Sequence, residues 1–392
     1  MRIFCLGGAG RITREAILDL VAFSGAAEIT VADVNETAGR EVVTWLSDSR
    51  VRFLKVNVRD RAATVAAMRG YDVVMDGTPI AWNGLSTACI AEAGCHGINL
   101  NGFGEEEASD PVFRAQGKAC VPGFGMTPGT TQMMAMHAAA QLDTVDTVRI
   151  SHGAYRPIAF SAAITETTVY EYDPRLPGRV VFEDGLFKQV PPFARPRDID
   201  LPAPYGTATQ YIIPHAETRT LAKNLAGKGV RLIEVRGTWP RRNMELIRAL
   251  YDWGFMRNDR VSVGGVELGI MEAIGAYLQH APEGSQTELY GYALHVEVEG
   301  GRSGSRQRHT LWHTHPPSDG SVPDWAGLRA YTRNVGIPLA IGAVLLARGA
   351  VPQAGVLTPE EAFAPATIFA ELERRGLLIH ERVEPCFRLP HG

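Results

Sequence analysis

The sequence predicts an α/β protein: a doubly wound parallel sheet, then a second, antiparallel α+β domain, with C-terminal helices returning to the first. Three observations carry this. Strand and helix patterns alternate over the first 125 residues. A glycine-rich turn, "GGAGRIT", joins the first strand to the first helix. Longer strand-like runs then replace that rhythm, and from about residue 326 the chain reads as helix again. Domains are expected at 1–125, 126–325 and 326–392.

The first strand is the apolar run Ile3, Phe4, Cys5, Leu6. Past the turn, "TREAILDLVAFSG" places Ala16, Ile17, Leu20 and Val21 at helical spacing, with Thr13 at its start and Gly25 at its end. Strand, glycine turn and helix aim backbone N–H groups at a pyrophosphate, as in a Rossmann dinucleotide site. Gly8, Ala9 and Gly10 supply the tight turn and the close backbone approach, while Thr13 stands where a third glycine usually packs helix on strand. The second strand, "AEITVADVN", ends in Asp33, twenty residues past Thr13. A carboxylate there suits a ribose 2′-hydroxyl and repels a 2′-phosphate, so NAD is expected, with NADP open through Arg40. The competing use of Asp33 is to cap the helix beginning near Glu36.

"VRFLKVNV" and "YDVVMDGTP" read as further strands, "DRAATVAAMRG" and "NGLSTACIAEAG" as helices. "GINLNG", a helix over "SDPVFRAQGKA", and "CVPGFG" complete the sheet. Ligands bind at the carboxyl ends of such strands. Cofactor contacts are therefore assigned to Gly8, Gly10, Arg11, Ile12 and Asp33, and to Asp76, Gly77, Thr78 and Pro79 after the fourth strand. Asn83 and Asn101, at strand ends, are candidates to orient substrate or ribose, or are turn residues. Glu105 is a candidate amine ligand, or a first-turn helix acid.

Composition narrows the partners. The 39 basic and 43 acidic residues nearly cancel, and no basic run interleaves with aromatics, so nucleic acid is not expected. The longest apolar stretch, "VGIPLAIGAVLLA", is about 13 residues, short of a bilayer span. The N-terminus runs straight into a strand, so neither a signal peptide nor a membrane partner is expected. Cys5, Cys89, Cys95, Cys120 and Cys386 lack metal or disulfide spacing and read as reduced cytoplasmic thiols. "HTLWHTHP" brings His309, His313 and His315 close, but without a carboxylate, and no metal is assigned.

The blocks "GGAGRITREA", "ITVADVNETAGREV", "YDVVMDGTPIAWN", "GINLNGFGEE" and "VPGFGMTPGTTQMMA" together resemble saccharopine dehydrogenase-like proteins. In length the chain is similar to the single-chain lysine 6-dehydrogenases and carboxynorspermidine dehydrogenases. "YIIPHAETRTLAKNL" and the helical tail extend the resemblance over nearly the whole chain. It implies an NAD(P)-dependent oxidoreductase acting on a C–N bond of an amino acid or diamine, by amine oxidation or imine reduction, and a homodimer. "TPGTTQM" lacks the acidic residue that saccharopine-cleaving members carry after the proline, which points away from saccharopine as substrate.

Hydride transfer to or from such a bond needs a titratable group for the proton on nitrogen. "PHAETRT" supplies His215, Glu217 and Arg219 within five residues on a segment that reads as irregular, or as a helix start after Pro214. His215 and Glu217 are taken as the proton-handling candidates, and Arg219 as a carboxylate ligand. Tyr172 falls in a tyrosine region that the resemblance shares and is a catalytic candidate, or is a buried strand-end tyrosine. The active site is expected between the strand ends of the first domain and "PHAETRT". Two other readings stay open: a transferase that oxidises an amine transiently and exchanges its partner, as homospermidine synthases do, and a cofactor-binding regulator without catalysis.

Overall fold

The computed structural model describes residues 1–175, 178–257, 259–281 and 287–386. The chain folds as two compact units: Met1–His137 with Thr332–Leu377, and Ala138–Tyr331 with the residues from Leu378 onward.

In the first unit, β1 (Arg2–Leu6), β2 (Glu28–Asp33), β3 (Val51–Lys55), β4 (Val73–Asp76), β5 (His96–Asn99) and β6 (Ala119–Val121) form one sheet with Gly355–Val356. Every pairing is parallel. β2 and β3 lie on one side of β1, and β4, β5 and β6 on the other. The order therefore reverses beside β1, the place where open α/β sheets take ligands. Helices α1 (Arg11–Phe23), α2 (Glu36–Leu46), α3 (Arg61–Met68), α4 (Asn83–Ala93) and α5 (Asp110–Ala115) connect the strands. Ile3, Phe4 and Cys5 are wholly buried, because a strand covered on both faces is apolar without alternation.

The long helix Leu328–Ala347 adds a finding about the apolar stretch. By length and composition it is long enough to cross a membrane, yet 89% of its most apolar window is buried inside the protein. The 13-residue reading undercounted it, since its first two turns contain Arg329 and Arg333. Within the first unit, a methyl group at Gly336 would fall 2.9 Å from backbone atoms of Ile12 and Ala16, so this helix packs closely on α1.

After α6 (Thr130–Ala140), the second unit is built on β7 (Thr144–Tyr155), followed by α7 (Ala162–Tyr172), β8 (Val180–Glu183), β9 (Leu186–Gln189), β10 (Arg197–Leu201) and β11 (Gly206–Ile212). Then come α8 (Glu217–Asn224), β12 (Leu232–Thr238), α9 (Arg241–Asp252), the hairpin β13 (Arg260–Val263) and β14 (Val266–Gly269), α10 (Ile270–His280), β15 (Gly291–Arg302) and β16 (Ser305–Thr314). The main sheet runs β10-β11-β12-β7-β15-β16 and ends on the strand Leu378–Pro385.

Two expectations are corrected. The second sheet is mixed, because β12 pairs with β7 in parallel, the return after a crossover of several elements. The tail does not stay helical: "LIHERVEP" alternates in polarity and pairs antiparallel with β16.

Candidate active site

The first unit presents a cofactor cradle. Gly7, directly after β1, holds the left-handed conformation of the turn (φ 67°), and a methyl group on it would fall 2.9 Å from backbone atoms of Gly77. The tight turn assigned to Gly8 is thus made by Gly7. A methyl group at Gly8 would come 2.8 Å from the Cys5 carbonyl oxygen. Gly10 is the N-cap of α1, in extended conformation, and no side chain caps this helix end. Its first-turn amides, from Arg11 and Ile12 onward, therefore suit an anion.

Thr13 also finds its explanation. A methyl group at Gly77 would lie 2.0 Å from the Thr13 hydroxyl, so the space a third glycine provides comes from the neighbouring strand end. Asp33 accepts hydrogen bonds from the amides of Ala9 (3.0 Å) and Asn35 (2.9 Å). It ties the glycine turn to the end of β2, while Asn35 caps α2 by accepting from the Ala38 amide. Arg40 is paired with Glu36 at 2.8 Å, not held out toward a phosphate.

After β4, burial raises the pKa of the Asp76 carboxyl, and bonds from the Ser86 hydroxyl and the Thr78 amide work against that. Asp76 shapes this turn from inside. The Thr78 hydroxyl also bonds to the Asp76 carboxyl, and Pro79 starts a short 3-10 turn over Ile80–Trp82. An uncapped helix start, a left-handed glycine with no room for a side chain and a carboxylate at the end of β2 together fit a nicotinamide dinucleotide.

Asn83, Asn101 and Glu105 prove to shape a loop. Asn83 is fully buried and donates to Glu106 (2.6 Å) and Glu105 (3.3 Å), while accepting from Asn99 (2.9 Å). Glu106 in turn accepts from the amides of Gly102 and Gly104, each at 3.2 Å. Asn101 gives its backbone amide to the Asn99 side chain at 2.9 Å. Asn83 thus opens α4, Asn101 lies in the loop after β5, and Glu105 stands in the first turn of the short 3-10 helix Glu105–Ser109.

The second unit gathers titratable groups in its interior. His215 precedes α8, and its Nδ1 lies 3.4 Å from the Glu217 carboxylate, with 10% and 0% of their side chains exposed. Burial draws the pKa of His215 down, and the charges of Glu217 and Glu171 outweigh it, leaving the ring above its ordinary value. Burial lifts the Glu171 carboxyl to about 7, against the pull of His215, Arg156 and Arg179. His152, on β7, bonds through Nδ1 to the Tyr292 hydroxyl at 2.8 Å. Its ring centroid lies 5.5 Å from that of His215. Burial, with His215 and Arg156 nearby, holds it well below its ordinary pKa. Gly237 faces it across the parallel pair, and a methyl group there would fall 2.3 Å from His152 Nε2. Two imidazoles thus sit together with proton affinities pushed apart, an arrangement that separates an acid from a neutral ring.

Two expected members stand elsewhere. Tyr172 is 1% exposed, and its ring packs on Phe193 and Trp239 at 5.0 and 5.5 Å. Burial, then the neighbouring Glu171, raises its pKa well above normal, so it keeps its proton. Arg219 is exposed with its guanidinium over the Phe187 ring at 5.1 Å, because α8 begins at Glu217 and turns it outward. His152, Arg156, Glu171 and Tyr292 were missed. The available signal was a polar residue in an apolar run, His152 in "VRISHGAY" and Glu171 beside the chosen Tyr172.

Near the sheet edge, His309 bonds through Nδ1 to Glu381 at 2.7 Å, so the tail strand supplies the carboxylate that the local sequence lacks. His315 bonds to Tyr205 at 2.7 Å and stacks on Trp325. Among the described residues, no group of three or more His, Cys, Asp or Glu could hold a metal ion.

The saccharopine dehydrogenase NADP binding domain family matches residues 3–120, and the saccharopine dehydrogenase C-terminal domain family matches 125–377. A carboxyaminopropylagmatine dehydrogenase of Synechocystis sp. is 24% identical over 284 residues, covering 70% of this chain and 68% of that protein. The apo saccharopine dehydrogenase (L-Glu forming) of Saccharomyces cerevisiae has a similar fold, with TM-score 0.71, 14% identity, and 98% and 99% of the two chains covered. The homospermidine synthase of Legionella pneumophila, solved with NAD, gives TM-score 0.64 at 12% identity over 97% and 91%.

Proposed function

Since the chain belongs to the saccharopine dehydrogenase family and is an NAD(P)-dependent oxidoreductase acting on C–N bonds of amine substrates, we propose that its His215–Glu217 pair exchanges the proton on the reacting nitrogen. The observation that carries this is the burial of that pair beside a second carboxyl, Glu171, whose pKa near 7 suits proton transfer at neutral pH.

When bound, NAD(P) accepts the hydride in amine oxidation or donates it in imine reduction. The protein's own part is the proton. For oxidation, the nitrogen must lose its proton before the carbon gives up hydride, and Glu217 holds the His215 ring ready to receive it. For reduction, a protonated His215 charges the imine nitrogen and makes its carbon electrophilic. His152 stays neutral beside it, so a single positive charge serves the two rings. The glycine turn grips the pyrophosphate, and the Asp33 carboxylate favours the 2′-hydroxyl of NAD.

The test is a screen of diamines and basic amino acids with NAD and with NADP, following the absorbance of the reduced nicotinamide. Steady net conversion in either direction is the expected result. Exchange of amine partners without any net change in reduced cofactor would replace this reading with the transferase, and cofactor binding without either would leave a regulator.

A further inference from the structure

The hairpin of β13 and β14 is a two-stranded sheet that pairs with no other strand among the described residues. Every residue from Arg260 to Leu268 is exposed. The turn is a firm one: Gly264 and Gly265 hold φ of 58° and 82°, the left-handed pair that matches the twist of the two strands. Val261 lies opposite Leu268 and Val263 opposite Val266, so four aliphatic side chains share one face, while Ser262 and Glu267 share the other. Such alternation belongs to strands with one face covered. Here that face stands in solvent, each of the four side chains being 37 to 57% exposed.

Apolar exposure is concentrated in this part of the chain. Trp253 and Phe255, just past α9, are 79% and 41% exposed, and Tyr277 on α10 is 72% exposed. Residues 253–277 thus hold seven of the sixteen large apolar side chains that stand exposed among the described residues. Covering those seven removes on the order of 700 Å² from one copy, close to the about 800 Å² a side of a stable interface. The strand edges are unguarded as well. "RVSVGGVELG" contains neither proline nor lysine, the residues that commonly keep an exposed edge from pairing. A lone hairpin is only marginally stable in water, so a covering surface firms it. Its root is held in place, by Arg260 on Glu272 of α10 at 3.2 Å and by Asp259 on Arg175 at 2.7 Å.

We infer that this arm is a docking surface for a second copy of the chain, meeting its own equivalent across a twofold axis. Two observations select that occupant. The apolar area suffices when each copy contributes the same patch, which is what a twofold interface requires. The arm also carries one charge of each sign, Arg260 and Glu267, so two copies of it do not repel. A lipid surface calls instead for a cationic polar face, and Ser262 and Glu267 do not provide one.

Sedimentation velocity on the whole protein, from nanomolar to micromolar concentration, tests this. A dimer is expected at micromolar concentration. Val263→Glu combined with Val266→Glu puts two carboxylates on the apolar face, at positions already open to solvent, so the monomer should keep its thermal unfolding temperature. The dissociation constant should rise by at least about 100-fold. Leu186→Glu changes an exposed leucine outside the arm and should leave the dimer as it is. Hydrogen exchange needs no variant: the amides of residues 260–269 should slow as the wild type is concentrated. A wild type that is monomeric throughout, a dimer that survives the double substitution, a dimer broken as readily by Leu186→Glu, or arm amides indifferent to concentration would each overturn the assignment. Sedimentation of a monomeric wild type with phosphatidylcholine vesicles would overturn it too, and give the face to a lipid surface.

Discussion

The glycine turn of the first unit and the titratable cluster of the second are built in opposite ways. The turn is made of backbone from one short segment, Leu6 to Thr13, closed by Gly77 and Asp33. The cluster is made of side chains from β7, α7, the start of α8 and β15, elements far apart in sequence. Backbone sites depend on the absence of side chains, so their failures come from added atoms. Side-chain sites depend on burial and charge balance, so their failures come from lost or displaced groups.

The largest effect is expected in the cluster. His215→Ala should lower turnover by about 100- to 10,000-fold, as for loss of a general acid–base, with NAD binding intact. The pH–rate profile should also lose one limb. Unchanged turnover in the variant would remove His215 from the chemistry.

Next comes Glu171. Burial lifts its carboxyl from an ordinary 4.5 to about 7, so the folded state holds its advantage below about pH 4.5 and loses it as pH rises through 7. Glu171→Gln should therefore stabilise the protein at pH 8 by up to about 3 kcal/mol and change little at pH 4.5. Chemical unfolding at the two pH values checks this, and an equal effect at both would mean the carboxyl is not held protonated.

The turn should respond to added atoms. Gly10→Val places a branched side chain next to the Gly7 carbonyl and Thr13, where even a methyl group would have 3.2 and 3.4 Å. Cofactor affinity should fall by more than about tenfold, some 1.4 kcal/mol, while thermal unfolding stays near wild type. Titration of NAD against a folded variant decides it. The smallest effect is expected at Asp33, where Ala should reduce a preference for NAD over NADP by about tenfold or less, since one hydrogen bond to the ribose is at stake. A wild type that binds NADP as tightly as NAD would end the ribose assignment.

The two regions also differ in how far the sequence reveals them. The parallel sheet is legible because buried strands, glycines and amphipathic helices are local patterns, and Asp33 stands at a fixed distance from the turn. His215 and Glu217 are legible because they are neighbours in the chain. Tyr172 misled for a local reason: consecutive helix residues point about 100° apart, so Glu171 joins the cluster while Tyr172 packs behind Trp239. Arg219 misled because the helix begins two residues before it. The partners of His152 and His309 come from strands more than 70 residues away, which no spacing rule reveals.

The exchange between Thr13 and Gly77 has a consequence for substitutions. The small residue that this kind of turn normally keeps on its helix has moved across to the next strand end, and the bulk has moved the other way. The two positions should then behave as one compound site. Gly77→Ala alone should clash with the Thr13 hydroxyl, and Thr13→Gly alone should leave a hole. Together they should restore the packing, with a coupling in a double-mutant cycle well beyond the sum of the single changes. A motif search that scores Thr13 by itself counts a missing glycine, whereas the folded chain has kept that glycine at a position 64 residues further on.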